Sequence, residues 1–383
     1  MRLGGAPYAL ASDPCLGFAG AMSRGSPLTR WFRRLLRPFA NREKRLEAED
    51  VCRIGSRKKT KQPDTTPFTL KVARSTPTPY YCSVVAIVKD EAKYIQEWLD
   101  FHSMLGVKHF YIYDNNSSDS TAELLKRYNS VTIISWPQEE AKTQRVAYAH
   151  ALTTFGSESR WMAFIDADEF VFPTRYDTLP EALSEYEDLP GLVVPWRMFG
   201  HSGHRTRPAG LVIENYTKTV QLPHPHISQR DYGFLRKVKS IVDPTRVKGV
   251  NPHCFLTDGD TFHTPNRELW SKNHPRSPAE DDHILLNHYF SKSEEEFDAK
   301  VDRGFIDMVG PSHAKYAESP LHAKYAERKR VMAKAIESAP IEDRKIQRFV
   351  PILRARMGLL SCPSDPVNAV PDVVKDGFTA EQS

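Results

Sequence analysis

From Tyr80 onward the chain alternates short apolar runs with segments of helical period. "CSVVAIV" (82–88) is β-branched and almost wholly apolar, the pattern of a strand covered on both faces. "EAKYIQEWLDFHSMLG" (91–106) then sets Ile95, Trp98, Leu99, His102 and Leu105 at helical spacing, with Gly106 as a stop. "HFYIYD" (109–114) predicts a second strand, and "NNSSDSTAELLKRY" a turn followed by a helix capped by Ser118 or Ser120. "VTIISW" (131–136) predicts a third strand, 139–155 another helix, and "WMAFID" (161–166) a fourth strand. Short strands divided by helices predict an α/β fold with a mostly parallel sheet and right-handed crossovers.

Outside this region the pattern changes. Residues 1–79 are rich in Gly, Ser and Pro and include the polar "SRKKTKQPDTTP" (56–67), which predicts a flexible basic leader; Met22 offers a second start. Within it "LTRWFRRLLRPF" (28–39) would form a short basic amphipathic helix suited to an anionic membrane surface, or a solvated arm packed back on the domain. Past 305, "HAKYAE" occurs at 313–318 and 322–327 and predicts a C-terminal helical segment over 306–362. Residues 363–383 are Pro-rich and polar, the composition of a disordered tail.

Composition narrows the function classes. The 383 residues are 40% hydrophobic and 26% charged with a net charge of +5, too small for bulk nucleic-acid binding. Cys15, Cys52, Cys82, Cys254 and Cys362 show no CxxC pairing, so a disulfide framework or zinc module is not expected and a reducing cytoplasm fits. No apolar run reaches the ~18–20 residues of a membrane span, and the N-terminus lacks a signal-peptide pattern. The expected location is cytoplasmic, with the 28–39 helix as a peripheral contact at the inner face of the membrane.

Polar groups then gather where such sheets bind ligands, beyond the C-terminal strand ends. Lys89-Asp90-Glu91, Asp114-Asn115-Asn116 and Asp166-Ala167-Asp168-Glu169 follow the first, second and fourth strands and would open onto one edge. Two aspartates one residue apart can approach one hard cation whose shell is completed by phosphate. No G-x-G-x-x-G follows the first strand and no G-x-x-x-x-G-K-[ST] occurs, which argues against dinucleotide oxidoreductases and P-loop phosphotransferases. What remains is a nucleotide held by acidic and amide side chains, with Asp90 or Asp114 accepting from a base or ribose. Asp114 equally suits the turn that "DNNSSDS" opens.

"VVAIVKDEAKYIQEWLDFHSMLGVKHFYIYDNNSSDS" followed by "WMAFIDADEFVFP" resembles the glycosyltransferases of GT-A fold, and more closely glycosyltransferase family 92 and its bacterial family-2-like relatives. "FGHSGHRTRPAGLVIENYTK" (199–218), "KSIVDPTRV" (239–247) and "LLNHYFSKSEEEFDAKVDRG" (285–304) extend the resemblance over about 80–305, with Lys89-Asp90-Glu91 where an Asn-Glu pair is more usual. It implies a GT-A domain over 80–305 with a Rossmann-like sheet, a nucleotide-sugar half (80–175) and an acceptor half (176–305). It also implies a metal-dependent, inverting transferase moving sugar from a nucleotide-sugar, UDP-sugar first, to a glycan or lipid-linked glycan, with Mn²⁺ or Mg²⁺ on the diphosphate. Asp166 and Asp168 would bind the metal, with His288 as third ligand or diphosphate contact. Glu91 and Asp114 would line the nucleoside pocket, and Gln144 or Arg145 would close it. Lys239 and Arg303 would stabilise the leaving diphosphate unless they are ordinary surface charges.

The base that takes the acceptor proton stays open among Asp231, Asp258, Asp260, Asp281 and Asp282. Trp196, His201 and His204 in "WRMFGHSGHR" suit an acceptor sugar, or else a plain surface loop; His253 and His263 are further polar candidates. A nucleotidyltransferase of similar fold and a non-catalytic membrane-associated binding protein are the competing readings.

Overall fold

Along the first strand, β1 (Tyr80–Val88), consecutive side chains enter two different cores. Cys82, Val84, Ala86 and Val88 pack on one face with Trp98, Leu99 and Phe101, and Val85 and Ile87 pack on the other with Tyr148 and Leu152. The period-two alternation of a strand therefore makes both parities apolar, which is why the run shows no polar face. β2 (His109–Asp114), β3 (Val131–Ser135) and β4 (Ser159–Phe164) complete the parallel part. Helices α1 (Ile95–Met104), α2 (Thr121–Leu125) and α3 (Thr143–Phe155) connect them. β1 pairs in parallel with both β2 and β4, and β2 with β3.

The computed structural model describes residues 72–137, 143–220, 235, 237–258, 262–270, 282–303, 320–338 and 340–359. The 28–39 segment, the first "HAKYAE" copy and the 363–383 tail lie outside these residues. Among the described residues no helix is long and apolar enough to cross a membrane.

Beyond β4 come β5 (Glu169–Pro173), α4 (Leu179–Ser184), β6 (Gly191–Met198), α5 (Val212–Asn215) and β7 (Lys218–Val220). β8 (Val238–Val242), β9 (Val247–Gly249), β10 (Leu256–Thr257), β11 (Phe262–His263), β12 (Leu269–Trp270) and β13 (Ile284–His288) follow. The main sheet runs β12-β11-β6-β8-β4-β1-β2-β3, with β13 joined to β6 and β5. β8 is antiparallel to β4 and β6, so the chain beyond β5 continues the same sheet instead of forming a separate layer.

The sequence reading differs in two local places, the cap of α2 and the C-terminal segment. Ser120 stands at the N-cap of α2 but makes no capping bond; the Asp119 carboxylate accepts from the Thr121 amide at 2.9 Å in its place. The helix expected over 139–155 is described from Thr143, residues 138–142 being outside the description. The C-terminal segment is not purely helical. After α6 (Glu294–Arg303) and α7 (Pro320–Ser338), β14 (Pro340–Glu342) pairs antiparallel with β7 before α8 (Val350–Arg356). Three residues opening on proline are too few to show a period, and Pro340 suits a short edge strand.

Candidate active site

At the tip of β4 the chain leaves the sheet. The Ile165 amide still donates to Val85 O (3.2 Å), and the next residues form a turn closed by Glu169 N–H to Asp166 O at 3.0 Å. β13 runs antiparallel to β5 with His288 opposite Glu169, and the Tyr289 amide donates to Asp168 O at 2.9 Å. This register puts His288 Nε2 3.4 Å from Asp168 Oδ2, joining two residues 120 positions apart. Trp196 on β6 is diagonal to His288 across the β6–β13 pair, and their rings lie 4.3 Å apart.

Each aspartate also faces a lysine. Lys239 Nζ lies 2.7 Å from Asp166 Oδ1 and 3.7 Å from Glu169 Oε2, with its side chain 1% exposed. Lys300 Nζ lies 2.5 Å from Asp168 Oδ2 and donates to Phe290 O at 3.3 Å. Burial pushes the Asp168 carboxyl up, but Lys300, His288 and Lys292 more than offset it and hold it well below the usual range. Burial and the Asp166 charge, against Lys239, push Glu169 well above its usual value. Burial favours the neutral imidazole of His288 despite Asp168 beside it. Glu169 therefore answers why an apolar strand ends in three acids. Asp166 and Asp168 each face a lysine, and the third acid is buried in the core, its Oε2 accepting from the Asp166 amide at 2.8 Å.

Asp168 and His288 offer an ionised carboxylate oxygen and a neutral imidazole nitrogen to one point, a donor set that fits Mn²⁺ or Mg²⁺. The contacts of Asp166 among the described residues all fall on Oδ1, from Gln144 Nε2 (2.6 Å), Lys239 and Tyr148 Oη (3.4 Å). No three His, Cys, Asp or Glu side chains among the described residues close on one point. The protein shell would be incomplete, as these ions accept when phosphate and water complete it.

The other expected residues divide. Gln144 faces inward and also bonds Tyr148 Oη one turn on, at 2.9 Å, whereas Arg145 is exposed, about 100° round the helix. Lys239 is not a surface charge but a buried counter-ion of Asp166 and Glu169. Asp90 and Asp114 knit the β1 and β2 tips: Asp90 Oδ1 accepts from Ser118 N–H (2.7 Å), and Asp114 Oδ1 from the Ser117 hydroxyl (2.5 Å) and amide (3.3 Å). Glu91, half-buried, opens the turn into α1 through its carbonyl. Trp196 is buried under His288 and does not offer an open face to a sugar. His201 lies 3.6 Å from Glu337 and 3.8 Å from Glu294, and His204 Nε2 lies 3.2 Å from Asn215 O. His253 meets Trp196 edge-on at 5.3 Å.

Among the base candidates, Asp258 is exposed and 3.2 Å from Lys248. Asp282 is buried, bonded to Asn266 Nδ2 at 2.5 Å, and precedes β13 at the end opposite His288. Six residues of extended chain put it roughly 20 Å from the tip that carries His288. Asp231, Asp260, Asp281 and the Arg303 side chain lie outside the described residues.

Sequence reasoning missed Lys300 and the role of Glu169. A signal for Lys300 existed. Ser293 and Glu296 form a capping box, the Glu296 amide donating to Ser293 Oγ (3.3 Å) and the Ser293 amide to Glu296 Oε2 (3.1 Å). That box fixes the phase of α6, with Phe297 and Val301 buried and Lys300 at the edge of their stripe.

Fold and site together define an α/β protein of GT-A type, a mostly parallel sheet with an Asp-x-Asp turn at a strand's C-terminal end. Residues 80–319 match the model of glycosyltransferase family 92, and the chain belongs to that family. A family 92 protein of Oryza sativa subsp. japonica is 31% identical over 203 residues, covering 50% of this chain and 32% of that one. One from Ricinus communis is 28% identical over 249 residues, covering 60% and 38%. The chain thus spans about a third of the length of these relatives. Among solved structures, S. aureus TarS 1–349 in complex with UDP is similar at 16% identity and a TM-score of 0.27, over 43% of this chain and 47% of that one. The mannosyltransferase PcManGT from Pyrobaculum calidifontis in complex with GDP-Man and Mn²⁺ gives 20% identity and 0.24, over 44% of each.

Proposed function

We propose that this chain transfers a sugar from a UDP-sugar to a glycan or lipid-linked glycan, with inversion and with a divalent cation on the donor diphosphate. The observation that carries the reading is the meeting of Asp168 and His288 at the C-terminal tips of parallel strands, the edge at which such sheets bind ligands. Asp168, His288 and Asp166 would hold the cation. Bound there, Mn²⁺ or Mg²⁺ supplies Lewis-acid stabilisation of the leaving diphosphate.

The chain's own residues do the rest. Lys239 and Gln144 fix Asp166 through Oδ1. Glu169, buried beside Lys239 and pushed well above the usual carboxylate range, turns its carboxyl inward to the Asp166 amide and away from the diphosphate side. The tips of β2 and β4 flank that of β1, about 10 Å apart, so Asp90, Glu91 and Asp114 stand on the nucleoside side of the cation site. The acceptor lies toward His201 and His204, and the 28–39 segment serves as a peripheral membrane contact. The carboxylate that takes the acceptor proton is one of Asp231, Asp258, Asp260 and Asp281, Asp282 standing at the far end of β13.

The test is a panel of UDP-, GDP- and CDP-sugars with Mn²⁺, with and without glycan acceptors. Transfer or slow hydrolysis of a UDP-sugar, lost in Asp168→Asn, is expected. Silence across the panel contradicts the reading, and release of nucleoside monophosphate with sugar phosphate would favour a nucleotidyltransferase.

A further inference from the structure

The two lysines at the acidic turn are held differently. Lys239 is sealed in the sheet between Asp166 and Glu169, and its side chain is 1% exposed. Lys300 comes from α6, its side chain is 23% exposed, and its ammonium is held by Asp168 Oδ2 and the Phe290 carbonyl. It also shares its carboxylate oxygen. Asp168 Oδ2 is 2.5 Å from Lys300 Nζ and 3.4 Å from His288 Nε2. A cation bound by that oxygen and that nitrogen would share the oxygen with the ammonium, and two positive charges at one oxygen repel. Lys300 has a route to solvent, whereas Lys239 is closed in by its two carboxylates and has no open side.

We infer that Lys300 is an exchangeable counter-ion. It neutralises Asp168 while the cation is absent and moves onto the donor's diphosphate oxygens when the cation takes the Asp168–His288 point. This inference rests on the cation reading above. Lys300 is then a positioning residue with two opposed effects: it competes with the free metal and it cooperates with the metal-bound diphosphate. Without nucleotide the ammonium keeps the acidic turn from trapping divalent ions. With nucleotide it adds a charge-assisted contact to phosphate that water would otherwise make. Lys292 cannot take this part, since its ammonium stands 4.0 Å over the Tyr94 ring and its side chain is largely buried.

The experiment measures Mn²⁺ binding by electron paramagnetic resonance, first with the metal alone and then with inorganic pyrophosphate, on the full chain and on Lys300→Met, Lys300→Arg and Asp168→Asn. Lys300→Met should bind free Mn²⁺ about tenfold more tightly and pyrophosphate with Mn²⁺ about tenfold more weakly. Lys300→Arg, which keeps the charge, should stay within about threefold of the parent in both. If Lys300→Met binds free Mn²⁺ no more tightly while Asp168→Asn loses it, the exchange is overturned and the cation site stands. If Asp168→Asn binds Mn²⁺ like the parent, both are overturned.

Discussion

Lys239 Nζ lies 2.7 Å from Asp166 Oδ1, reaching from β8 across to the turn that ends β4. The pair is asymmetric: the lysine is sealed and the aspartate side chain is 31% exposed. Asp166 and Glu169 raise the Lys239 pKa above its ordinary value although burial alone would lower it. Removing the lysine would strand negative charge at the sheet, so Lys239→Met should cost about 3 kcal/mol of unfolding free energy. Urea denaturation of Lys239→Met and of Lys239→Met with Glu169→Gln checks this. The double variant should recover part of the loss, because the second carboxylate no longer needs a partner.

His102 should make the fold acid-labile. Its Nδ1 lies 2.8 Å from Trp98 O, and its Nε2 accepts the Val171 amide at 3.2 Å. The neutral ring thus donates through Nδ1, and a proton on Nε2 would face another donor. Burial lowers the His102 pKa to about 3. The folded state therefore binds fewer protons than the unfolded one between pH 3 and 6.5, and stability falls as pH drops through that window. From pH 7 to pH 5 the loss from this residue is about 2 kcal/mol. Denaturation of the parent and of His102→Gln at both pH values should show a smaller difference in the variant.

Trp196 should support His288 more than it serves any acceptor. Its ring is buried and packed at 4.3 Å against the imidazole. Trp196→Ala is expected to cost about 3–5 kcal/mol of stability. Trp196→Phe should fold normally, keep acceptor KM within about twofold, and weaken Mn²⁺ binding. A raised acceptor KM with unchanged Mn²⁺ affinity would return Trp196 to the acceptor side.

Asp282→Asn should leave turnover within a few fold of the parent, since the carboxylate sits at the far end of β13. The variant's amide oxygen can still accept from Asn266 Nδ2, so stability should fall by no more than about 1 kcal/mol. Thermal unfolding alongside a transferase assay separates the two effects, and loss of turnover without loss of stability would restore Asp282 as the base.

Local patterns carried the parallel part of the sheet. The 82–88 and 109–114 runs are apolar enough to read as doubly covered strands, and the acids after them fall at one edge by topology alone. The pairing of β5 with β13 was not legible: it joins segments more than 100 residues apart, and no local period records such a partner. The same gap explains why Asp168 and His288 were linked only through a family resemblance. Sequence does not separate Gln144 from Arg145, because a helix phase shifted by one residue turns a side chain from core to solvent. Lys300 stayed hidden because the capping box at Ser293 fixes the helix but says nothing of which acid its edge meets.

The most direct measurement is titration calorimetry of UDP into the full chain with and without Mn²⁺, repeated on Asp168→Asn and His288→Ala. Mn²⁺ should tighten UDP binding at least tenfold in the parent and hardly at all in either variant. Equal UDP affinity with and without the metal, or full Mn²⁺ enhancement after loss of the Asp168 carboxylate, would contradict a cation held at the tip of β4.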